Sequence, residues 1–451
     1  MRTQTSDFSQ GKISQLILSL GLPIMLAELV HVLYNIVDRI YIGHMGTHGT
    51  LALTGLGVCF PLITLIGAFA NLYSTGGATL CTIARGEGDQ AKATRIMETS
   101  FTALLLTGAV LTILLYLTAP VTLRWLGGDD ETMPAALGYF RIYVTGTIPV
   151  LISLGMNSFI TSQGFPRFGM ATVVLGAVLN IVLDPVLIFV LDMGIRGAAL
   201  ATILSQLASA LWVIRFLTGK RPPIRLRRLR IDPAVLGGIL KLGVTGFTFK
   251  VTNSVTQAIV NIMLRQWGGV LSSLYIGAMS LINSLREIMT LPTTGITTAG
   301  QSVMSYNYGA KEYRRVSDSI RFTLLCSLSI NVCFWAAVMI IPTPLFHMFT
   351  SDKELIRLTV DCARIYFGAF PFMTLQTTGQ STFVALNYPK HALFFSMLRK
   401  IVLVAPLTLL LPAIGLGVHG VFWAEFTSQV IGASACILTM YHVIWRRMRA
   451  G

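Results

Sequence analysis

The chain has 451 residues, of which 53% are hydrophobic and only 12% are charged, and its mean hydropathy is +0.70. About a quarter of the residues of a soluble domain are charged, so this composition excludes a soluble protein and indicates a polytopic membrane protein. The formal net charge of +15 would suggest nucleic-acid binding in a soluble protein. Here the basic residues lie mainly in alternate loops, so we attribute the charge to membrane topology and lipid headgroups and expect no nucleic-acid partner.

Long apolar runs predict twelve transmembrane helices, since about 20 apolar residues cross the hydrocarbon layer. The first six runs lie at about 14–42, 51–84, 94–118, 136–162, 168–191 and 196–218. The second six lie at about 234–264, 271–305, 317–341, 356–386, 392–413 and 418–444. Several runs exceed the length that a span needs and are expected to tilt. The first run is also too long for the core of a signal peptide, so we expect it to remain in the mature protein.

Two aspartates lie within the apolar runs of the first half. Asp38 is in the first run, and Asp184 is in the fifth run, within Asn180-Ile181-Val182-Leu183-Asp184-Pro185. Asn180 and Asp184 are four residues apart and therefore share one helix face. Pro185 has no N–H and crowds the carbonyl of Ile181. Because a carboxylate at membrane depth costs several kcal/mol, we interpret these groups as an ion site that drives transport.

A glycine-rich stretch in the second run, Ser74-Thr75-Gly76-Gly77-Ala78, superficially suggests a phosphate-binding loop. It lacks the Gly-Lys-Ser/Thr ending of such a loop and lies inside an apolar span, so close helix packing is the better interpretation. We therefore expect no ATPase site and a pump that runs on an ion gradient or on a separate motor.

Cysteine and histidine give no sign of a metal centre or a disulfide framework. No CxxC motif and no His/Cys cluster is present, so we expect buried thiols, no zinc and no cofactor. The six cysteines are Cys59, Cys81, Cys326, Cys333, Cys362 and Cys436.

The strongest basic cluster, Lys220–Arg230, lies between the two sets of six runs. We interpret it as part of a cytoplasmic linker, residues 219–233, between an N-lobe (1–218) and a C-lobe (234–451). The other even-numbered connections are also basic, whereas two odd-numbered ones carry the acids of Asp129–Glu131 and Asp352–Glu354. The positive-inside rule then predicts a multi-pass protein with both termini in the cytoplasm.

The sequences of the two halves match each other at one fixed spacing along the chain. This spacing, the number of residues from Pro166 to Pro389, is the repeat offset. At the same offset Gly194-Ile195-Arg196-Gly197 matches Gly417-Val418-His419-Gly420. Since each half has six spans, the lobes should share one orientation and be related by a pseudo-twofold axis along the membrane normal. Two such lobes would leave a cleft between them, and rocking them would give alternating access.

The two aspartates within the apolar runs do not repeat. Asp38 corresponds to Asn261, Asn180 to Leu403 and Asp184 to Leu407. The repeat thus builds an all-α scaffold of twelve helices in two lobes, and the predicted ion site belongs to the N-lobe alone.

With these features the sequence resembles the multidrug and toxic compound extrusion (MATE) transporters over nearly its whole length. The most specific segments are Tyr34–Gly43, Gln163–Arg167 and Asn180–Pro185. They are similar to the bacterial branch that contains MepA and the DinF-type members, rather than to the NorM branch.

The resemblance implies a cation site in the N-lobe. Carried over residue by residue, it places ion-coupling roles on Asp38, Asn180, Asp184, Thr202 and Asn157, with Pro23 at a bend in the first helix. The NorM branch also carries acids in its second lobe. Here the seventh helix offers Lys250 and the tenth offers Gln376 and Gln380, so a second-lobe site of that type is in doubt.

Several alternatives stay open at this stage. Asp38 or Asp184 could instead pair with a buried base, for which Arg141 is a better candidate than the adjacent Arg39. Two close carboxylates cannot both ionise cheaply, so the pair could take up either H⁺ or Na⁺. Candidate contacts for a cationic substrate are Glu28, Glu287, Gln376 and Glu425, and each acid has a structural alternative as an interfacial group or an ion pair.

The sequence therefore predicts a secondary active antiporter rather than an enzyme. It would export organic, cationic amphiphilic compounds from a bacterial cell across the cytoplasmic membrane in exchange for H⁺ or Na⁺, as a monomer among membrane lipids. The alternative within the same superfamily is an exporter or flippase of a lipid-linked precursor or a dedicated metabolite. A membrane-embedded enzyme would need a nucleophile–base or metal constellation, which the sequence lacks, and a passive channel is disfavoured by the two-lobe repeat.

Overall fold

The computed structural model describes residues 7–45 and 49–445, and these residues form helices and loops without a strand. The predicted all-α class is thereby confirmed. The helices of the first half are α1 (Ile13–Gly43), α2 (Gly49–Tyr73), α3 (Thr79–Gly86), α4 (Gln90–Trp125), α5 (Met133–Thr145), α6 (Thr147–Thr161), α7 (Pro166–Pro185) and α8 (Ile195–Thr218).

The second half continues with α9 (Pro233–Trp267), α10 (Ser272–Gly309), α11 (Tyr313–Ile340), α12 (Pro342–His347), α13 (Lys353–Phe367), α14 (Phe370–Ala385), α15 (Pro389–Met397), α16 (Ala405–Leu411) and α17 (His419–Met440). Wider π-helical turns extend or join several of these helices. They occur at Ser74–Ala78, Val186–Val190, Leu398–Val404, Pro412–Leu416 and Tyr441–Trp445.

These helices occupy the twelve predicted spans. Within the described chain, nine continuous helical stretches are long and apolar enough to cross a membrane, and α5 with α6 forms a tenth span bent by 58°. The two remaining predicted spans, at about 271–305 and 356–386, contain α10 and the consecutive helices α13 and α14. Both are less uniformly apolar, which is expected of spans that carry polar side chains inside a lobe.

The chain divides into two compact units. The first contains Leu26–Lys250, and the second contains Ser9–Met25 together with the described residues from Val251 onward. These units differ from the predicted lobes, because their boundaries fall inside α1 and α9 rather than in the basic linker. The lobe boundaries at 218 and 234 stay a prediction of the repeat.

Close approach between helices in the first unit depends on glycine. A Cβ at Gly243 of α9 would overlap the carbonyl oxygen of Leu72, and one at Gly76 would overlap the carbonyl oxygen of Ile239. The backbones of α9 and of the second span therefore touch directly. The stretch Ser74–Ala78 is a π-helical turn at this contact, consistent with its interpretation as a packing element.

The backbone repeats as the sequence does. Residues other than glycine rarely adopt a positive φ. For four positions of the first half that have a positive φ, the residue at the repeat offset also has a positive φ. The pairs are Gly88 (79°) with Lys311 (61°), Gly164 (91°) with Asn387 (57°), Asp192 (50°) with Gly415 (107°) and Gly194 (54°) with Gly417 (53°). Corresponding loops of the two halves thus turn in the same way.

The basic linker folds onto the first unit. The carboxylate of Glu98, which is 5% exposed, accepts hydrogen bonds from the backbone N–H groups of Arg227 (3.3 Å) and Arg228 (3.0 Å). The side chain of Gln163 accepts another from the N–H of Ile224 at 2.9 Å. These bonds explain why the unit boundary does not lie in the linker.

Replacing Glu98 with alanine should release this linker. Hydrogen bonds to a charged group contribute about 1.5–3 kcal/mol each, so we expect trypsin to cleave after the linker arginines at least about tenfold faster in the variant. Cleavage is measured on the purified protein by time-resolved gel electrophoresis. The control is Glu87→Ala, which removes an exposed acid that pairs with Lys92. Equal cleavage rates for Glu98→Ala and the wild type would contradict this account.

Candidate functional site

The two aspartates within the spans of the first half lie close together in the structure. The carboxyl groups of Asp38 and Asp184 lie within hydrogen-bonding range of each other. Asp184 is fully buried, Asn180 is 2% exposed, and the Asn180 Nδ2 group donates to Asp184 Oδ1 at 3.2 Å. An acid of the first helix and an acid of the fifth span, far apart in the chain, therefore form one group inside the first unit.

Local structure explains how α7 presents its share of this site. Asn180 and Asp184 stand one turn apart, on the same face of the helix. Pro185 ends the regular helix, and the π-helical turn Val186–Val190 follows directly. Because Pro185 cannot donate to the carbonyl of Ile181, that carbonyl loses its usual partner beside the two side chains.

No basic side chain of the described residues forms an ion pair with either acid. The guanidinium of Arg39 lies over the ring of Phe60, and that of Arg141 lies over the ring of Tyr116, each 5.7 Å from the ring centroid. The alternative in which a buried arginine pairs with either acid does not fit this geometry.

Several oxygen atoms of the group have no donor in the described structure. They are Asp38 Oδ1, Asp184 Oδ2 and Asn180 Oδ1. Buried polar atoms in native proteins nearly always have a partner, and two adjacent carboxylates repel unless a proton or a cation lies between them. Carboxylate and amide oxygens are ligands for hard cations, so the residues present fit either H⁺ or Na⁺.

Thr202 and Tyr139 extend the group from α8 and α5. The Tyr139 hydroxyl lies near the Thr202 hydroxyl and within electrostatic range of Asp38. Its ring, 3% exposed, stacks on that of Tyr143 with 5.8 Å between centroids. Sequence reasoning missed Tyr139. An available signal was its position four residues before Tyr143, and Tyr143 itself corresponds to Tyr366 in the second half.

Asn157 lies away from this group. Its side-chain amide on α6 donates to the carbonyl of Gly169 at 3.3 Å. Gly169 is eleven residues before Asn180 on the same helix, which is about 16 Å along the axis at the usual rise per residue. The structure does not bring Asn157 together with the other predicted ion-coupling residues. Asn157 contacts α7 at Gly169, and the stretch of helix between Gly169 and Asn180 separates it from them.

The remaining first-helix candidates occupy other depths of α1. Pro23 lies inside a helix that continues from Ile13 to Gly43, so its role as a bend stays a prediction. Glu28 is half-buried and lies within electrostatic range of Lys250. It stands about 15 Å along the helix from Asp38 and is a separate candidate.

The second-half candidates have different surroundings. Glu287 is exposed, whereas Gln376 is buried and its Nε2 donates to the carbonyl of Phe395 at 3.2 Å. Glu425 is buried and pairs with Arg399 and Lys400. The predicted contact between Glu425 and a cationic substrate does not fit this geometry, because two cations already neutralise its carboxylate.

Removing the Tyr139 hydroxyl should weaken cation uptake without unfolding the protein. One hydrogen bond contributes about 1 kcal/mol, so we expect Tyr139→Phe to raise the ion concentration that half-saturates transport about fivefold. The measurement is efflux from proteoliposomes at a series of ion concentrations. Tyr116→Phe, which changes the tyrosine beside Arg141, serves as the control, and an identical ion dependence in Tyr139→Phe and the wild type would remove Tyr139 from the site.

Comparison with known proteins relates the chain to one family. A sequence model of the MatE family matches residues 23–186 and 250–410. "Multidrug export protein MepA" of Staphylococcus aureus (strain NCTC 8325 / PS 47) is 22% identical over 444 residues, which cover 96% of this chain and 95% of MepA.

Solved structures share the fold. A crystal structure of MATE in complex with MaL6 superposes with a TM-score of 0.92 at 21% identity, covering both chains completely. An outward-facing multidrug resistance MATE family transporter of the MOP superfamily gives a TM-score of 0.91 at 21% identity, again over the whole of both chains. At this identity the structural likeness establishes the fold.

Proposed function

Because the chain belongs to the MatE family, we propose that it is a secondary active multidrug efflux transporter that exports organic, cationic amphiphilic compounds in exchange for H⁺ or Na⁺. The relatives in the comparison include proteins named for multidrug export. The observation that carries the proposal is the close pair of Asp38 and Asp184, with which no basic side chain of the described chain forms an ion pair. An exporter coupled to an ion gradient needs such a group, since it must gain and lose a cation in each cycle.

The chemistry of the pair explains how an inward ion gradient can drive export. When both carboxyl groups are charged they repel each other, and a proton shared between them or a sodium ion bound by their oxygens removes that repulsion. Loading therefore favours close contact between α1 and α7, and release favours their separation. A ligand shifts a conformational equilibrium only through such a difference in affinity between two states.

Export follows if the cation and the substrate favour different states. An organic cation is attracted by the negative charge of the unloaded pair, and loading from outside cancels that charge. The transported compound is then released while the ion remains, and the ion leaves on the cytoplasmic side. Ion and substrate thus lower each other's affinity by the same factor, as thermodynamic linkage requires.

The setting of this cycle is the cytoplasmic membrane of a bacterial cell. We place both termini in the cytoplasm, because the basic connections of the sequence alternate with neutral or acidic ones. The cycle makes and breaks no covalent bond and needs no organic cofactor. One chain with its surrounding lipid is sufficient for it.

Reconstitution in liposomes tests the function. The purified protein is placed in vesicles loaded with a fluorescent lipophilic cation, and either a pH gradient or a sodium gradient is imposed. We expect one gradient to accelerate efflux and its reversal to prevent it. If neither gradient changes the efflux rate relative to empty liposomes, the chain is not an ion-coupled exporter.

A further inference from the structure

The second unit contains a buried charged cluster that the cation site does not use. Glu425 Oε1 lies 2.7 Å from Arg399 Nη1 and 3.3 Å from Lys400 Nζ. All three residues are 5% exposed. Arg399 and Lys400 are consecutive, and both reach one carboxylate from the π-helical turn Leu398–Val404.

Arg286 adds a third cation to this cluster. Arg286 lines the same cavity as Lys400 and Glu425, and its buried Nε atom has no hydrogen-bond partner in the described structure. None of the ion pairs of the described residues includes Arg286. Three basic side chains therefore surround one carboxylate, which leaves a formal excess of two positive charges inside a membrane protein.

The cavity beside these groups is small and polar. It has a volume of about 40 Å³, and amide and hydroxyl groups of Asn253, Gln257, Asn283 and Tyr366 line it together with the charges. One water needs roughly 10–15 Å³ on this measure, so the cavity accommodates a few waters or one compact ion. The Asn283 side-chain amide donates to Gln257 Oε1 at 3.2 Å, which fixes part of its wall.

The repeat relates the wall of this cavity to the cation site of the first half. At the repeat offset, Glu425 corresponds to Thr202 and Tyr366 to Tyr143, whereas the acid positions Asp38 and Asp184 have become Asn261 and Leu407. Corresponding places in the two halves of the fold therefore hold an excess of acid in the first and an excess of base in the second.

We propose that this cavity, which we call the basic cavity, binds one compact monoanion beside Arg286 and Lys400. Unpaired buried charges are costly, and an anion there would accept charge-assisted hydrogen bonds from both cations. Two sources offer such a group: a free chloride ion, or a carboxylate carried by the exported molecule. In the second case the exported compounds include molecules that carry a carboxylate, an extension that rests on the proposed function.

Chloride binding to the purified full-length protein tests the proposal directly and does not depend on transport. Radiolabelled chloride is equilibrated with the protein in detergent at constant sodium, with sodium HEPES as the balancing salt because its anion is too large for the cavity. We expect saturable binding of one chloride per chain. Competition by acetate, whose carboxylate is compact, identifies the source: tighter binding of acetate indicates a substrate group, and tighter binding of chloride indicates the free ion.

Two substitutions locate the site, and a third is the control. Arg286→Gln removes one cation and Asn283→Asp adds a negative charge to the wall, so each should weaken chloride binding at least about tenfold. Arg141→Gln, an arginine of the first unit that faces Tyr116, should leave it unchanged. The proposal is overturned if the wild type shows no saturable binding of chloride or carboxylate, or if both cavity variants bind as the wild type does.

Discussion

Replacing Asp38 or Asp184 with asparagine is expected to abolish gradient-driven export while the protein remains folded. Asparagine has nearly the shape of aspartate but cannot take up a proton or neutralise a sodium ion. With one charge removed, the two side chains no longer change between repulsion and attraction. Ion binding then cannot drive the conformational change. We expect the efflux rate in proteoliposomes to fall at least about 100-fold, which corresponds to roughly 2.7 kcal/mol of lost coupling.

The matched control for this experiment is Asp192→Asn. Asp192 lies just after the span that contains Asp184 but is exposed. Its charge is therefore solvated and should not contribute to coupling. Thermal unfolding in detergent shows whether each variant is folded, and removal of a buried charge should leave the two aspartate variants as stable as the wild type or more so. Full gradient-driven efflux in both Asp38→Asn and Asp184→Asn would show that the ion acts elsewhere.

Alanine at Gly243 or Gly76 is expected to destabilise the first unit strongly. The added methyl group would overlap a backbone carbonyl oxygen, that of Leu72 or of Ile239, and a backbone atom cannot move aside as a side chain can. Overpacking typically costs about 1–3 kcal/mol, and we place these two variants at or above about 3 kcal/mol. The measurement is the midpoint of thermal unfolding of the purified protein.

Gly237 provides the control on the same helix. An added Cβ at Gly237 meets no atom within 4 Å, so Gly237→Ala should keep or slightly raise the unfolding midpoint through its better helix propensity. If Gly243→Ala and Gly237→Ala unfold at the same temperature, the two helices are not in direct backbone contact.

The fold was largely accessible from the sequence, because the membrane restricts the chain to helices of a minimum length. The apolar runs located the twelve spans, and the repeat offset anticipated the paired positive-φ turns such as Gly194 and Gly417. The approach of Asp38 to Asp184 was also expected, since an acid at membrane depth needs a partner group or a bound ion.

Other features depended on contacts between distant segments. Tyr139 carries no charge, and its spacing of four residues from Tyr143 does not by itself place its hydroxyl near Thr202. Asn157 was assigned to the site by family position, whereas the length of α7 between Gly169 and Asn180 separates it. The linker belongs to the first unit because it packs on Glu98, which its composition did not indicate.

Competition between the coupling ion and the substrate tests the central claim most directly. The affinity of purified protein for a fluorescent lipophilic cation is measured with and without saturating H⁺ or Na⁺, in the wild type and in Asp184→Asn. We expect one of the two ions to weaken binding at least about tenfold in the wild type and to have no effect in the variant. Equal substrate affinity with and without either ion in the wild type would contradict exchange at the Asp38–Asp184 pair.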